Sequence, residues 1–299
     1  METNSGLSKT LRGYRILDLT KLLPGPLATL WMAQQGAEVI KVESPSSPDP
    51  IRFYPPIKNG VSVFYSALNV GKKSVAFDYR SGEGRKEFLK MVGTADVVIE
   101  QFRPGVIDAF GLGFAELKEV NASIILVSIN GYGHQGEMAQ HPGHDINYLS
   151  YSGLLDGMRD SKGNPVLSSA QIADIAGGSM MALNAVTSAL LHRERVGEGQ
   201  HINVSMALSV AVLQYLRITE GKATGSYTDH LSGRLASYNI YRCSDDQYVA
   251  LGALEPKFWL RFCELVGHTE WQSEILNDDQ EELITKVREM FAAHPQKHW

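Results

Sequence analysis

Four segments of this sequence carry residue types that could do chemistry. Gly143-His144-Asp145-Ile146-Asn147-Tyr148 places two titratable groups and an amide within one short run, directly after a loop containing Gly and Pro. An imidazole there could move a proton near neutrality, at an unperturbed pKa of about 6.5, or simply hold the loop by hydrogen bonds. Ala173-Asp174-Ile175-Ala176-Gly177-Gly178 puts a carboxyl group at the expected start of an apolar helix rich in Ala and Met. Asp174 could cap that helix. It could also be partly desolvated at the helix mouth, which would raise its pKa, and the paired glycines would permit close approach of a ligand. In Gly252-Ala253-Leu254-Glu255-Pro256-Lys257-Phe258-Trp259 the carboxylate of Glu255 stands at a strand end before a helix, where it could cap the helix or favour its dipole. Finally, Asn69-Val70-Gly71-Lys72-Lys73-Ser74 and Glu100-Gln101-Phe102-Arg103-Pro104-Gly105 place basic residues at expected sheet ends. α/β folds bind ligands at such ends, although Lys72, Lys73 and Arg103 would serve equally as a solvated loop face.

These segments hang on an alternation of strand and helix patterns. Arg15 to Leu19, Glu38 to Val42, Ser74 to Phe77, Asp96 to Ile99 and Ile124 to Ile129 are short, Val- and Ile-rich runs that predict strands. Leu27 to Gln35, Gly84 to Met91 and Val106 to Phe110 predict helices between them. The alternation argues for an α/β fold, a parallel sheet with helices on both faces. Ile172 to Leu191 and Val204 to Leu216 predict buried helices, with the charged turn from Arg193 to Gly199 between them. A composition shift at Gly221 to Tyr227 reads as a linker. Beyond it, strands around Tyr238 to Arg242 and Tyr248 to Gly252, and helices at Lys257 to Val266 and Glu281 to Ala293, predict a smaller α+β domain. The expected division is therefore 1–220 and 221–299.

The bulk numbers narrow the field of functions. With 299 residues, 43% of them hydrophobic, the chain can bury one large core or two. A formal net charge of -5 lacks the basic footprint of a nucleic-acid binder. The two cysteines, Cys243 and Cys263, make neither a disulfide framework nor a metal-ligand spacing. Met1 to Thr10 is polar and has no apolar core of a secretory signal. The longest small and apolar stretch, Ile172 to Leu191, is interrupted by Asp174, Ser179, Asn184, Thr187 and Ser188, so it predicts a buried helix rather than a membrane span. The expected compartment is the cytoplasm. One motif is resisted: Gly131-Tyr132-Gly133-His134-Gln135-Gly136 fits G-x-G-x-x-G, but it leads into a loop with Pro142 rather than opening a helix of an early βαβ unit. Glycines permitting a tight loop near a ligand is the better reading.

Taken together, the segments resemble the alpha-methylacyl-CoA racemases, a branch of the class III CoA-transferase (CaiB/BaiF) family. The run from Asp18-Leu19-Thr20 to Pro26, Ala37 to Glu43, Asn69 to Asp78, Arg103-Pro104-Gly105, Gly111-Leu112-Gly113, Gly131-Tyr132-Gly133 and Gly197 to Gln200 match the family pattern, which covers nearly the whole chain. The branch rests on the Gly-His-Asp-Ile-Asn-Tyr run from Gly143 and the Gly-Ala-x-Glu-Pro-x-Phe run from Gly252. The sequence departs from the pattern at Ser44, where many racemases carry a basic residue that contacts the CoA phosphates, and at Ile175-Ala176, where Phe-Gly is common. Family members also continue past the region of Trp299 with a segment that returns to the first domain, so a truncated chain is expected.

The resemblance implies a Rossmann-like large domain that binds CoA, a smaller domain, and an interlocked homodimer. It implies His144 and Asp174 as the two acid–base residues, with Glu255 supporting the histidine across subunits. It implies Val70, Gly71, Lys72, Lys73, Arg103, Gly143, Asp145, Ile146, Asn147 and Tyr148 as contacts to the CoA thioester. The reaction implied is racemisation of 2-methyl-branched acyl-CoA, with coenzyme A as part of the substrate and no metal or other cofactor. Such a reaction needs a positioned base, a second acid on the opposite face of the carbanion, and donors for the enolate oxygen. Backbone N–H groups at the start of the Asp174 helix are the expected donors. The alternative is acyl-CoA:carboxylate CoA transfer, with Asp174 as nucleophile.

Overall fold

The computed structural model describes residues 9–160, 163–227, 230–277 and 279–299. Its central feature is a six-stranded sheet, all parallel, built from β1 (Arg15–Asp18), β2 (Glu38–Glu43), β3 (Lys73–Ala76), β4 (Val97–Glu100), β5 (Ile125–Asn130) and β6 (His201–Ser205) in the order β3-β2-β1-β4-β5-β6. Every residue of β4 and β5 is buried. That is why these strands read as continuous apolar runs rather than alternations. Strand geometry then sorts the side chains by parity. Ile16, Val97, Ile99, Ile125 and Val127 join one core with residues of α1 (Pro24–Gln34) and α7 (Met181–Val196). Leu17, Val98 and Leu126 join the other, with Phe88 and Val92 of α3 (Gly82–Val92) and Leu117 of α5 (Phe114–Val120). The α/β expectation and five of the strands are thus found where the sequence placed them. The shorter helices α2 (Val63–Asn69), α4 (Val106–Ala109) and α6 (Asp145–Tyr151) complete the connections.

The sixth strand corrects the sequence reading. Val204 to Leu216 was expected to form one helix, but His201–Ser205 pairs with β5, and the Ser205 hydroxyl accepts from the Leu208 N–H at 3.3 Å to start α8 (Met206–Ala211). A polar cap inside an apolar run therefore ends a strand and begins a helix. Likewise the expected linker from Gly221 is half helical: α9 (Tyr215–Thr224) runs through it and closes on Gly225 at φ +78°.

Residues 173–180 (Ala173–Met180) form a π-helical segment that runs directly into α7. π-Helical turns are uncommon and frequent at functional sites. Gly177 and Gly178 lie in it. A Cβ on Gly177 would stand 2.5 Å from the Met206 carbonyl oxygen, and one on Gly178 2.7 Å from Pro24 Cβ. These glycines therefore admit α8 and α1, not a ligand, which corrects the expectation of close substrate approach. Gly177→Ala is expected to destabilise the fold by about 1–3 kcal/mol, since a backbone oxygen cannot step aside as a side chain can. A urea titration would read this as a lowered midpoint; an unchanged midpoint would remove the packing role.

The chain divides into two compact units, Met1–Asp156 with Val166–Leu213, and Gly157–Pro165 with Gln214–Trp299. The boundary expected between 220 and 221 falls within α9. In the second unit an antiparallel hairpin of β7 (Tyr238–Arg242) and β8 (Tyr248–Gly252) packs with α10 (Pro256–Val266) and α11 (Glu281–Ala292) around Trp259, Cys263, Trp271, Leu283, Val287 and Phe291. Among the described residues no helix is long and apolar enough to cross a membrane, and no cluster of His, Cys, Asp and Glu could hold a metal ion.

Candidate active site

The loop after β5 carries the histidine. Gly133 and Gly136 take φ of +107° and +96°, and no helix opens until α6 at Asp145. The G-x-G-x-x-G run is therefore loop, as its context implied. Gly131 and Gly143 make room for one aromatic ring: a Cβ on either would lie within 2.6 Å of Tyr148 Cε1. The buried Tyr148 hydroxyl then donates to the Gly143 carbonyl at 2.6 Å, pinning the residue before His144. Tyr132 packs edge-on against the same ring at 5.1 Å. His144 is exposed at the N-cap of α6, and its backbone N–H donates to Asn147 Oδ1 at 3.0 Å. Asn147 thereby fixes the helix start that presents the imidazole.

Asp174 is half-buried near the start of the π-helical segment. It is not the N-cap that the sequence suggested. The Asp145 carboxylate from α6 takes the capping part instead, accepting the Asp174 N–H at 3.0 Å. This bond ties the two helix starts together and brings His144, Asp145 and Asp174 to one place. It also takes the Asp174 N–H out of the donors expected to meet the enolate oxygen. Burial pushes the Asp174 pKa up to about 6; the neighbouring Asp145 charge adds to this and His144 opposes it. Burial and then the Asp174 charge push the Tyr148 hydroxyl up to about 12, so it stays a donor.

The sign of the Asp174 shift has a consequence for stability. Its folded-state pKa lies above the ordinary 3.8, so its contribution is fully present below the unfolded value and is lost as pH rises through about 6. Asp145→Asn keeps an acceptor for the Asp174 N–H and removes the like charge. Carboxyl-carbon NMR is expected to show the Asp174 midpoint falling below about 6 in that variant. A midpoint that stays in place would leave burial as the only cause.

The basic residues divide. The Lys72 ammonium is 1% exposed and donates to Asp18 Oδ2 (3.2 Å), the Pro26 carbonyl (2.9 Å), Thr29 Oγ1 (2.8 Å) and Asn69 Oδ1 (2.9 Å). It serves as an internal counter-ion. Lys73 opens β3 and pairs with Glu38, which opens β2, at the amino ends of the strands and away from the ligand-binding edge. Both lysines, expected as contacts to the CoA thioester, are thus engaged by groups of the chain itself. Val70 and Gly71 follow α2 as an exposed turn, Gly71 at φ +81°. Arg103 is exposed on the loop after β4, close enough to Tyr148 to lower its pKa. Ile146 is exposed on α6.

Sequence reasoning missed Arg80. Its guanidinium donates to Ser44 Oγ at 3.0 Å and to the Ser46 hydroxyl, so a cation does stand beside β2 where Ser44 had left none expected. Nearby, Lys21 donates to the Ser47 carbonyl at 2.6 Å. A separation of 36 positions between Ser44 and Arg80 offers no local signal. Glu255 belongs to the second unit, exposed at the N-cap position of α10, where its side chain makes no capping bond.

Comparison with known proteins adds to this geometry. The pattern that defines CoA-transferase family III matches residues 11–299. The acetyl-CoA:oxalate CoA-transferase of Acetobacter aceti is 31% identical over 96% of this chain and 76% of its own length. The human alpha-methylacyl-CoA racemase is 30% identical over 97% of this chain and 74% of its own. The crystal structure of Rv3272 from M. tuberculosis matches with a TM-score of 0.83 at 30% identity, covering 98% of this chain and 80% of that one.

Proposed function

Because the chain belongs to CoA-transferase family III, we propose that it racemises 2-methyl-branched acyl-CoA thioesters by moving the α proton between His144 and Asp174. The observation that carries this reading is an exposed imidazole beside a half-buried carboxyl group that keeps its proton up to about pH 6. A two-base exchange needs one group ready to accept and another ready to donate near neutrality. At pH 7 a pKa of about 6 leaves roughly a tenth of Asp174 protonated. Neutral His144 would take the proton from one epimer while protonated Asp174 delivers one to the opposite face of the enolate. For the other epimer the roles reverse. Coenzyme A enters as part of the substrate; the exposed Arg103 is the first candidate cation for its phosphates, with Arg80, which also pairs with Asp78 at 2.8 Å, and Lys21 beside β2 as further ones.

A homodimer is part of the proposal. Leu208, Val212 and Leu213 of the first unit are all more than half exposed, Val212 at 63%. A run of large apolar side chains of this kind marks an interaction surface. In such a dimer Glu255 of the partner subunit would orient His144.

The second reading, acyl-CoA:carboxylate CoA transfer, is favoured by the transferase relative that matches as well as the racemase does. Asp174 would attack the thioester carbonyl, releasing CoA thiolate and leaving a mixed anhydride. The CoA thiolate would then attack the Asp174 carbonyl, expelling the donor carboxylate and leaving an aspartyl thioester. The acceptor carboxylate would displace the thiolate to form a second anhydride, and the thiolate would attack its acceptor carbonyl, releasing the new acyl-CoA and the free Asp174 carboxylate. The deciding experiment supplies one epimer of a 2-methylacyl-CoA in deuterated water and follows C2 by NMR. Deuterium entering C2 together with epimerisation supports the racemase. A folded, thioester-binding protein that exchanges nothing, and whose Asp174 is trapped as the acyl hydroxamate, would be a transferase.

A further inference from the structure

Glu100 closes β4 and is 3% exposed, yet no step of the proposed reaction uses it. Its Oε2 accepts the Phe102 N–H at 2.5 Å, gripping the start of the loop that presents Arg103. Directly across the register on β5 stands Ser128, close enough to the same carboxyl group to lower its pKa. On the far side of Ser128, His201 of β6 lies with Nε2 at 2.8 Å from the Ser128 oxygen. Carboxyl, hydroxyl and imidazole thus stand in a line across three neighbouring strands, the Ser128–His201 link already hydrogen-bonded. The line has a solvent end: the His201 ring is half-buried and meets the exposed His134, on the Gly131–Gly136 loop, at 6.1 Å between ring centres. Phe114 covers another side of the ring at 5.9 Å.

We propose that Glu100, Ser128 and His201 are a proton relay that sets the charge beneath the Arg103 loop and so tunes the hold of that loop on an anionic ligand. The coupling to the ligand, though not the relay, rests on the reading of the chain as a CoA-thioester enzyme. The line is satisfied in two states. With Glu100 ionised, Ser128 donates to it and His201 donates Nε2–H to Ser128. With Glu100 neutral, its O–H donates to Ser128, Ser128 donates to Nε2, and the imidazole carries its hydrogen on Nδ1. The change between them adds one proton. It arrives at Nδ1 from solvent, the Nε2 proton passes to Ser128, and Ser128 passes its own to Glu100. Only N–H and O–H bonds form and break.

The surrounding groups place this exchange near neutrality. Burial pushes Glu100 up to about 7, opposed by Ser128 and the Phe102 N–H and assisted by Asp108 of α4. Burial and then His134 pull His201 down, with Asp108 opposing. When ionised, Glu100 holds the Phe102 N–H in a charge-assisted bond, stronger than the neutral form can make. The Arg103 loop should therefore be better ordered above neutrality.

Glutamate-selective carboxyl-carbon NMR tests the relay in the whole protein. One carboxyl is expected to titrate near 7, and its signal to vanish in Glu100→Gln. Ser128→Ala, which removes a donor to the anion, should move that midpoint upward. His201→Phe should slow its exchange with solvent, broadening the signal through the titration. The relay is overturned if no glutamate titrates there, or if Ser128→Ala and His201→Phe leave midpoint and exchange as in the parent. Calorimetry with CoA itself tests the coupling. Affinity should rise up to about tenfold between about pH 6 and about pH 8.5 in the parent and stay flat in Glu100→Gln. Equal pH profiles in both would overturn the coupling. No CoA binding at any pH would instead fault the ligand reading, and the NMR titration would still decide the relay.

Discussion

Replacing His144 by alanine is expected to slow α-proton exchange of a 2-methylacyl-CoA by roughly 10²–10⁴-fold, the usual worth of a positioned acid–base group. The structure makes the variant a clean one. The ring is exposed, so its truncation removes little packing. The bond that fixes the start of α6 runs from the His144 backbone N–H to Asn147 Oδ1, and it survives the change. The Gly143 carbonyl stays pinned by Tyr148. The effect should fall on kcat with KM nearly unchanged, because the imidazole acts on the reacting carbon rather than on the CoA tail. The same variant separates the two readings of Asp174. A transferase that uses Asp174 as nucleophile has no need of His144, so CoA transfer undiminished in His144→Ala, with no exchange in the parent, would refute the two-base scheme.

The second large effect concerns stability. Lys72→Ala is expected to cost about 3–5 kcal/mol, because it strands a buried carboxylate. Asp18 is fully buried, which works to raise its pKa, but Lys41 and Lys72 with the hydroxyls of Thr20 and Thr29 outweigh burial and hold it below the usual carboxylate range. Lys41, 3.9 Å from Asp18 Oδ1, remains in the variant and also faces Asp49 at 3.5 Å, so the loss should lie toward the lower figure. Such a loss is a large part of the roughly 5–15 kcal/mol that holds a domain folded. Urea unfolding reads it directly. If Lys72→Ala unfolded like the parent but bound CoA more weakly, Lys72 would be a phosphate contact after all. Pairing Lys72→Met with Asp18→Asn should recover part of the loss, since a buried ion pair replaced on both sides leaves no unpaired charge.

The strands were legible wherever a run is both short and continuously apolar. β4 and β5 are buried on both faces, so no register or partner had to be known to find them. β6 was overlooked although His201–Ser205 alternates polar and apolar residues, because the apolar run of α8 follows at once and draws Val204 into a helical pattern. Pairing with β5 settles it as a strand, and with it the line from Glu100 through Ser128 to His201. The short helices α2, α5 and α6 offer too few turns for a period to show.

At the site the residue types were legible and their partners were not. His144, Asp145 and Asp174 stand out because an imidazole and two carboxyl groups next to glycine-bearing turns are chemically suggestive wherever they occur. Their local roles depended on contacts 29 positions apart: Asp145 caps the Asp174 segment, which leaves Asp174 free of a capping duty and half-buried beside a like charge. Lys72 departs from its expected part, and Arg80 went unnoticed, for the same reason. A lysine before a strand reads as surface until four oxygens from separate segments close around it, and a serine in place of a basic residue reads as a loss until Arg80 reaches back to it. The sequence by itself determined the parallel α/β architecture and singled out His144 and Asp174 as the candidate acid–base groups, because periodicity and side-chain chemistry are local properties. Only the tertiary structure decided which charges are buried, which glycines serve packing and which proton Asp174 keeps, because burial and pairing are set by residues far apart in the chain.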